Sequence, residues 1–232
     1  MKHIGISPAR RMFLRKALGA APAAVAVGSG VAGATLAVAQ SGKSAYQAKY
    51  FNADEWSTLN ALVDRLIPAD EHGPGAIEAG VPEFIDRQMD TPYGRGELWY
   101  MHGPFDEKAS ELFGYQFDLS PKALYRIALP GVAQAVSREF NKPLSELSPT
   151  QRDDVLHRLE QGKLEIGRVP AAAFFNQLLT NTREGYFCDP VHGGNKDMAA
   201  WKMVGFPGAR GDYLDWVEQY GKNYPLGSVS LG

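Results

Sequence analysis

Apolar residues recur at helical spacing through most of the chain beyond residue 50, and no long run alternates between apolar and polar residues. Asn52, followed three residues later by Glu55, is typical of a capping box that starts a helix, and Pro68 ends that helix. The pattern therefore predicts an all-α fold with a single helical domain. The apolar face of the first helix is formed by Trp56, Leu59, Val63, Leu66 and Ile67.

Start and stop signals place further helices along the chain. A serine followed by a proline begins two of them, and glycine or proline ends most of them. Pro130 and Gly131 predict an interruption of the third helix, and residues 171–179 are almost wholly apolar, which predicts a buried helix. The predicted helices span 81–89, 121–140, 149–161, 171–179, 198–204 and 212–220, with a loose tail after them.

One stretch, residues 182–209, combines many glycines with aromatic residues, and we call it the glycine-rich segment. Disordered linkers are poor in aromatics, so the composition predicts an ordered loop followed by a short helix. Asn195 and Asp197 are suited to capping that helix, and the Gly193–Gly194 pair indicates positive φ angles or a close backbone approach. Residues 93–105 are also irregular and aromatic, and we expect them to pack beside Gly185.

The run EGYFCDPVHGGNKDMAAWKMVGFPGA within this segment resembles the signature of the gluconate 2-dehydrogenase subunit 3 family. Members are small subunits of membrane-associated, flavin-dependent sugar and polyol dehydrogenases. The resemblance implies a non-catalytic chain that binds an FAD-dependent large subunit, with electrons passing to a cytochrome c subunit or a quinone. It implies that this chain binds no cofactor, that FAD lies on the partner, and leaves open whether partner subunits also carry haem or an iron–sulfur cluster.

The resemblance also suggests which side chains contact the partner subunit. We expect these contacts in the glycine-rich segment, because aromatic residues anchor interfaces and glycines permit close approach. The expected contact residues are Tyr186, Asp189, Gly193, Gly194, Asn195, Lys196, Trp201 and Phe206.

Residues 1–39 resemble a twin-arginine signal peptide, which leaves residues 40–232 as the helical small-subunit domain. The export motif consists of Arg10, Arg11, Phe13 and Leu14, and the spacing of Ala37 and Ala39 predicts cleavage after Ala39. An uncleaved membrane anchor is the alternative, although the run over 17–38 is only weakly apolar. Gly28, Gly30 and Gly33 match a dinucleotide fingerprint by letter, but they lie inside this leader with no strand before them.

The leader and the resemblance together predict the location of the protein. The twin-arginine translocase moves folded proteins, and the resemblance implies that this leader also exports a flavoprotein that has none. We therefore expect a periplasmic protein that is peripherally membrane-associated through its complex.

Charge and cysteine content exclude several classes of function. Residues 1–39 carry five basic residues and no acid, so the remaining 19 basic and 26 acidic residues give residues 40–232 a net charge of −7. That balance argues against binding nucleic acid or anionic lipid. A single cysteine permits no intrachain disulfide and no CxxCH haem attachment.

The sequence offers few candidates for catalysis. HExxH and GxSxG motifs are absent, and no two histidines after residue 39 lie close together. Cys188 can be read as a packed thiol, as a nucleophile with His192, or as an intersubunit thiol bonded to the large subunit. Asp189, Lys196 and Asp197 could act as acids or bases in a free-standing periplasmic enzyme, and a small-molecule-binding module is a further alternative.

Overall fold

The computed structural model describes residues 46–106 and 109–232, so the predicted leader over 1–39 lies outside the described residues. The described part is helical and contains no strand, which confirms the predicted all-α class. Its α-helices are α1 (Ala53–Leu66), α2 (Val81–Met89), α3 (Pro121–Phe140), α4 (Pro149–Glu160), α5 (Ala171–Phe187) and α6 (Ala199–Val204). Short 3-10 helices span Glu111–Phe113, Leu144–Glu146, Pro190–His192, Lys196–Met198 and Gly211–Trp216.

Helix α5 lies at the centre of the fold and packs against each of the other five helices. Phe174 and Leu178 on this helix are fully buried, and Tyr125 of α3 meets the Phe174 ring edge-on at 5.6 Å. Burial of each such side chain stabilises the fold by about 1.5–3 kcal/mol. The predicted buried helix is therefore the element around which the others assemble.

Local capping signals fix the starts of two helices. In α1, the Glu55 backbone N–H donates to Asn52 Oδ1 at 2.9 Å, and the Asn52 N–H donates to Glu55 Oε2 at 3.0 Å. Ser148 and Gln151 exchange the equivalent pair of hydrogen bonds at the start of α4. Because these contacts involve residues only three positions apart, the sequence predicted both starts correctly.

The predicted interruption of α3 is wrong, because the helix runs unbroken through Pro130. Pro130 lies on the exposed side, where water can bond the carbonyl that proline leaves without a partner, while Leu129 and Val132 are fully buried. Gly131 permits a close approach of the Ile166 backbone to α3, because a Cβ at this position would lie 2.6 Å from the Ile166 carbonyl oxygen.

Helix α5 continues eight residues beyond the predicted end at Leu179, so the glycine-rich segment begins inside a helix. Helix α2 approaches α5 so closely at Gly185 that a side chain would not fit, because a Cβ there would lie 2.7 Å from the Phe84 ring. The predicted last helix over 212–220 is a 3-10 helix over Gly211–Trp216. No helix in the described ranges is long and apolar enough to cross a membrane.

A buried carboxylate attaches the first described residues to α2. Asp86, which is fully buried, accepts hydrogen bonds from the Tyr46 hydroxyl at 2.7 Å and from the Lys49 N–H at 2.8 Å. The N–H groups of Tyr50 and Phe51 donate to its other oxygen, each at 3.0 Å. One side chain thereby fixes the path of the chain into α1.

We expect Gly131→Ala to lower the free energy of unfolding by about 1–2 kcal/mol, although alanine is the better helix former. The added methyl group meets the Ile166 backbone, which has little freedom to move. Urea denaturation of the purified chain measures the change. Gly211→Ala is the control, since a Cβ at Gly211 meets nothing within 4 Å; equal losses from the two variants would contradict the packing explanation.

Candidate functional site

The glycine-rich segment folds back onto the C-terminal end of α5. The last carbonyl groups of a helix have no partner within it and must be satisfied from outside. The Gly185 carbonyl accepts from the Asn195 N–H at 3.0 Å, and the Phe187 carbonyl accepts from Trp201 Nε1 at 2.8 Å. The carbonyl of Cys188 accepts from Asn195 Nδ2 at 2.9 Å. The segment therefore caps α5 with its own side chains and backbone.

Asn195 connects the end of α5 to the start of α6. It is fully buried with φ at 43°, a left-handed conformation that asparagine tolerates better than most residues. Its Oδ1 accepts from the Ala200 N–H at 2.9 Å, at the start of α6. The next residue, Lys196, donates its N–H to the Ala79 carbonyl at 3.0 Å, which joins the segment to the approach to α2.

Close approach and an ionic cluster hold the segment against α2 and α5. A Cβ at Gly194 would lie 2.1 Å from the Gly185 carbonyl oxygen, so only glycine fits there. Lys196 Nζ lies 2.7 Å from Glu83, whose largely buried carboxylate also pairs with Arg87. A shielded carboxylate needs such partners, because an unpaired buried charge is costly.

The structure places the eight expected contact residues together but gives them different environments. Tyr186 is buried and donates its hydroxyl to the Pro74 carbonyl at 2.7 Å, and Trp201 is buried with its ring 5.1 Å from that of Phe206. Asp189 is half-buried, and Lys196 is exposed. Contact with a partner stays a prediction for all eight: five are buried (Tyr186, Gly193, Gly194, Asn195 and Trp201), and three are accessible (Asp189, Lys196 and Phe206).

Sequence reasoning missed most of the exposed apolar side chains. Among the described residues, seventeen of the eighteen large exposed hydrophobic side chains fall in three segments, 98–113, 187–206 and 213–231, and the other is Ile77. Helices α1, α3 and α4 expose none. The members are Leu98, Tyr100, Phe105, Leu112, Phe113, Phe187, Val191, Met203, Val204, Phe206, Tyr213, Leu214, Val217, Tyr220, Leu226, Val229 and Leu231.

An open groove of about 530 Å³ joins the first of these segments to the end of α5. Tyr93 and Leu98 line one part, and Phe187 and Cys188 line another. The Tyr93 hydroxyl accepts from Asn181 Nδ2 at 2.7 Å, which anchors this wall to α5. Tyr93 and Leu98 therefore lie near the end of α5, and packing of residues 93–105 beside Gly185 itself stays a prediction.

The C-terminal residues cross the glycine-rich segment, so the expectation of a loose tail is wrong. The Asp189 carboxylate accepts from Ser230 Oγ at 2.7 Å and from the Leu231 N–H at 2.9 Å. The Val229 N–H donates to the Pro207 carbonyl at 3.1 Å. Partial burial opposes ionisation of Asp189, but the hydrogen bonds that it accepts outweigh burial and lower its pKa. Asp189 is therefore a carboxylate at neutral pH.

Cys188 is a half-buried thiol that donates a weak hydrogen bond to the Gly185 carbonyl at 3.4 Å. Burial raises its pKa to about 11. A hydrogen bond from the Gly194 N–H lowers this pKa in part, and the nearby Asp189 carboxylate raises it further. A cysteine nucleophile needs a lowered pKa, so catalysis with His192 gains no support, although both residues line the groove. A bond between Cys188 and a partner subunit stays a prediction.

Within the described residues, no group of three His, Cys, Asp or Glu side chains could hold a metal ion.

We expect Asn195→Ala to cost about 2–3 kcal/mol more than Asp197→Ala, measured by urea denaturation. Both residues have positive φ, so alanine carries a similar backbone cost at each position. Only Asn195 makes buried side-chain hydrogen bonds to the end of α5 and the start of α6. Equal losses would show that the side-chain bonds contribute nothing.

We expect Cys188 to react slowly with iodoacetamide in the native chain. With a pKa of about 11, about one thiol in a thousand is ionised at pH 8, against roughly a quarter for an unperturbed cysteine. The rate should rise about tenfold per pH unit between pH 7 and 9. Urea-unfolded chain is the control, and a native rate equal to its rate would refute the burial effect.

Comparison with known proteins identifies the chain's relatives. The model of the family described as gluconate 2-dehydrogenase subunit 3 matches residues 53–208, which is about two thirds of the chain. No curated protein and no solved structure matches. The matched residues run from α1 through α6 and include almost all of the glycine-rich segment that caps α5. The chain therefore belongs to the gluconate 2-dehydrogenase subunit 3 family.

Proposed function

We propose that this chain is a non-catalytic small subunit of a periplasmic FAD-dependent dehydrogenase of sugars, sugar acids or polyols. It binds and stabilises the flavoprotein large subunit and provides its twin-arginine export signal. FAD and the reacting substrate belong to the large subunit, from which electrons pass to a cytochrome c subunit or a quinone. Membership of a family described as a dehydrogenase subunit supports an assembly of several chains.

The distribution of exposed apolar side chains carries this proposal. We call the exposed apolar side chains of segments 98–113 and 187–206 the docking surface. Large exposed apolar patches are uncommon on monomeric proteins and mark interaction sites. Aromatic residues and methionine are enriched at such sites, and Tyr100, Phe187, Met203 and Phe206 are of these types.

The construction of the docking surface supports a rigid binding site. Phe187 lies at the end of α5, and Phe206 packs on Trp201, whose indole N–H is bonded to the Phe187 carbonyl. Side chains held in this way lose little further freedom when a partner binds. The glycine-rich segment therefore presents its apolar residues in a fixed arrangement.

Charge favours a protein partner over direct attachment to lipid. Residues 40–232 have a net charge of −7, which anionic lipid headgroups would repel. In this proposal, membrane association comes from other subunits of the complex. The export signal accounts for the periplasmic location.

The groove beside Cys188 favours one alternative, a small-molecule-binding module. Its volume of about 530 Å³ falls in the range of ligand pockets, and Glu184 and His192 supply polar groups. Calorimetric titration of the isolated chain with gluconate and related polyols distinguishes the two functions. Saturable binding would favour the module, whereas an accessory subunit gives no heat of binding.

Capture of the native chain from envelope extracts by an antibody tests the proposed function. We expect a stoichiometric partner that shows flavin absorbance and that mass spectrometry identifies as a dehydrogenase. A colourless chain recovered without a partner would contradict the proposal.

We expect Phe206→Ala and Phe187→Ala each to weaken retention of the flavoprotein by about tenfold, because truncation of an interface anchor typically costs 1–2 kcal/mol or more. Both side chains are about half exposed, so the unfolding free energy should change little. Ile77→Ala is the matched control, since Ile77 is similarly exposed but lines a separate depression with Trp56. Undiminished retention by both Phe variants would exclude this part of the surface.

A further inference from the structure

Residues 210–232 lie beyond the residues that the family model matches, yet residues 228–231 bond the glycine-rich segment near both ends of that segment. At one end, the Ala209 N–H donates to the Val229 carbonyl at 2.8 Å, and Ser228 Oγ donates to the Phe206 carbonyl at 2.6 Å. At the other end, the Asp189 carboxylate accepts from Ser230 and Leu231. The two attachments span the glycine-rich segment from Asp189 to Ala209.

Residues 210–227, which precede these attachments, form an ordered loop with its own contacts. Arg210 Nε donates to the Gly227 carbonyl at 2.8 Å, which closes the loop at its base. Inside it, the Tyr224 ring meets Tyr213 at 5.2 Å and Trp216 at 5.5 Å, both edge-on. The Tyr224 hydroxyl also bonds a carboxylate of the loop. These contacts give the loop a defined shape although it contains only a short 3-10 helix.

Three large apolar side chains of residues 210–232 are mostly uncovered. Leu214 is 78% exposed, Tyr220 is 88% exposed and Leu231 is 76% exposed. A chain that only needed to cover the glycine-rich segment would turn such residues inward, because burial of each stabilises the fold by about 1.5–3 kcal/mol. Val191 lies beside Gly232, and Phe206 lies beside Ser228, so the uncovered residues continue the docking surface.

We propose that residues 210–232 form an arm of the docking surface, which Asp189 holds in place, and that this arm sets how tightly the flavoprotein subunit is bound. The inference rests on the proposed function. The arm carries Arg210 and Lys222 against three acids (Asp212, Asp215 and Glu218), so its net charge of −1 disfavours an anionic lipid surface as the occupant. Its continuity with Phe206 and Val191 favours the same flavoprotein that the glycine-rich segment contacts.

Two variants test the arm with the captured flavoprotein as the binding probe. The double variant Leu214→Ser, Tyr220→Ser changes exposed side chains only, so its unfolding free energy should equal that of the parent chain. We expect its affinity for the flavoprotein to fall by about tenfold or more. Asp189→Ala should also weaken binding, and hydrogen exchange at the Val229 and Leu231 amides should become faster while the amides of α5 stay protected.

The outcomes separate this inference from the proposed function. If Phe206→Ala weakens flavoprotein binding but the double variant does not, the arm is no part of the interface and the inference fails alone. If the parent chain binds no flavoprotein, both fail. Loss of vesicle binding (phosphatidylglycerol in phosphatidylcholine), or of self-association, in the double variant with flavoprotein affinity unchanged would overturn the assignment of the occupant.

Discussion

The organisation of this protein depends on satisfying the carbonyl groups at the end of α5. A buried carbonyl without a donor costs about 1–3 kcal/mol, and the donors here come from Asn195 and Trp201, which lie 7 to 14 residues after the carbonyls that they bond. The segment between must therefore follow one path. This explains why a stretch with so many glycines is ordered, and why Trp201, which looks like an interface residue by type, faces inward.

The residues that stabilise the fold and the residues suited to binding a partner lie in different parts of the chain. The interlocking faces of α1 to α5 supply the apolar burial that stabilises the chain, and they leave no large apolar side chain exposed on α1, α3 or α4. The irregular segments contribute less to the core but carry most of the exposed apolar side chains among the described residues. Stability and recognition are thus assigned to different parts of one domain, as is common where loops on a rigid scaffold carry function.

Features that depend on neighbours in sequence were predictable, and features that depend on distant neighbours were not. The capping residues Asn52 and Ser148 act within three positions, so both helix starts were correct. Gly131 and Gly185 look like helix breakers, but each lies where another backbone or ring approaches closely. Residue type alone could not separate buried Trp201 from half-exposed Phe206, and the C-terminal path depends on Asp189, about forty residues earlier.

The contacts of Asp86 also have a mechanical consequence. Several hydrogen bonds to a single carboxylate, three of them from backbone N–H groups, hold the stretch from Tyr46 to Phe51. A pulling force applied at Tyr46 would load these bonds together, and α2 would carry it into the core. Helix α2 packs against α1 and α5 and is bonded to the glycine-rich segment through Glu83 and Lys196. The load from a pull on the N-terminal side would therefore be shared between the helical core and the segment that caps α5.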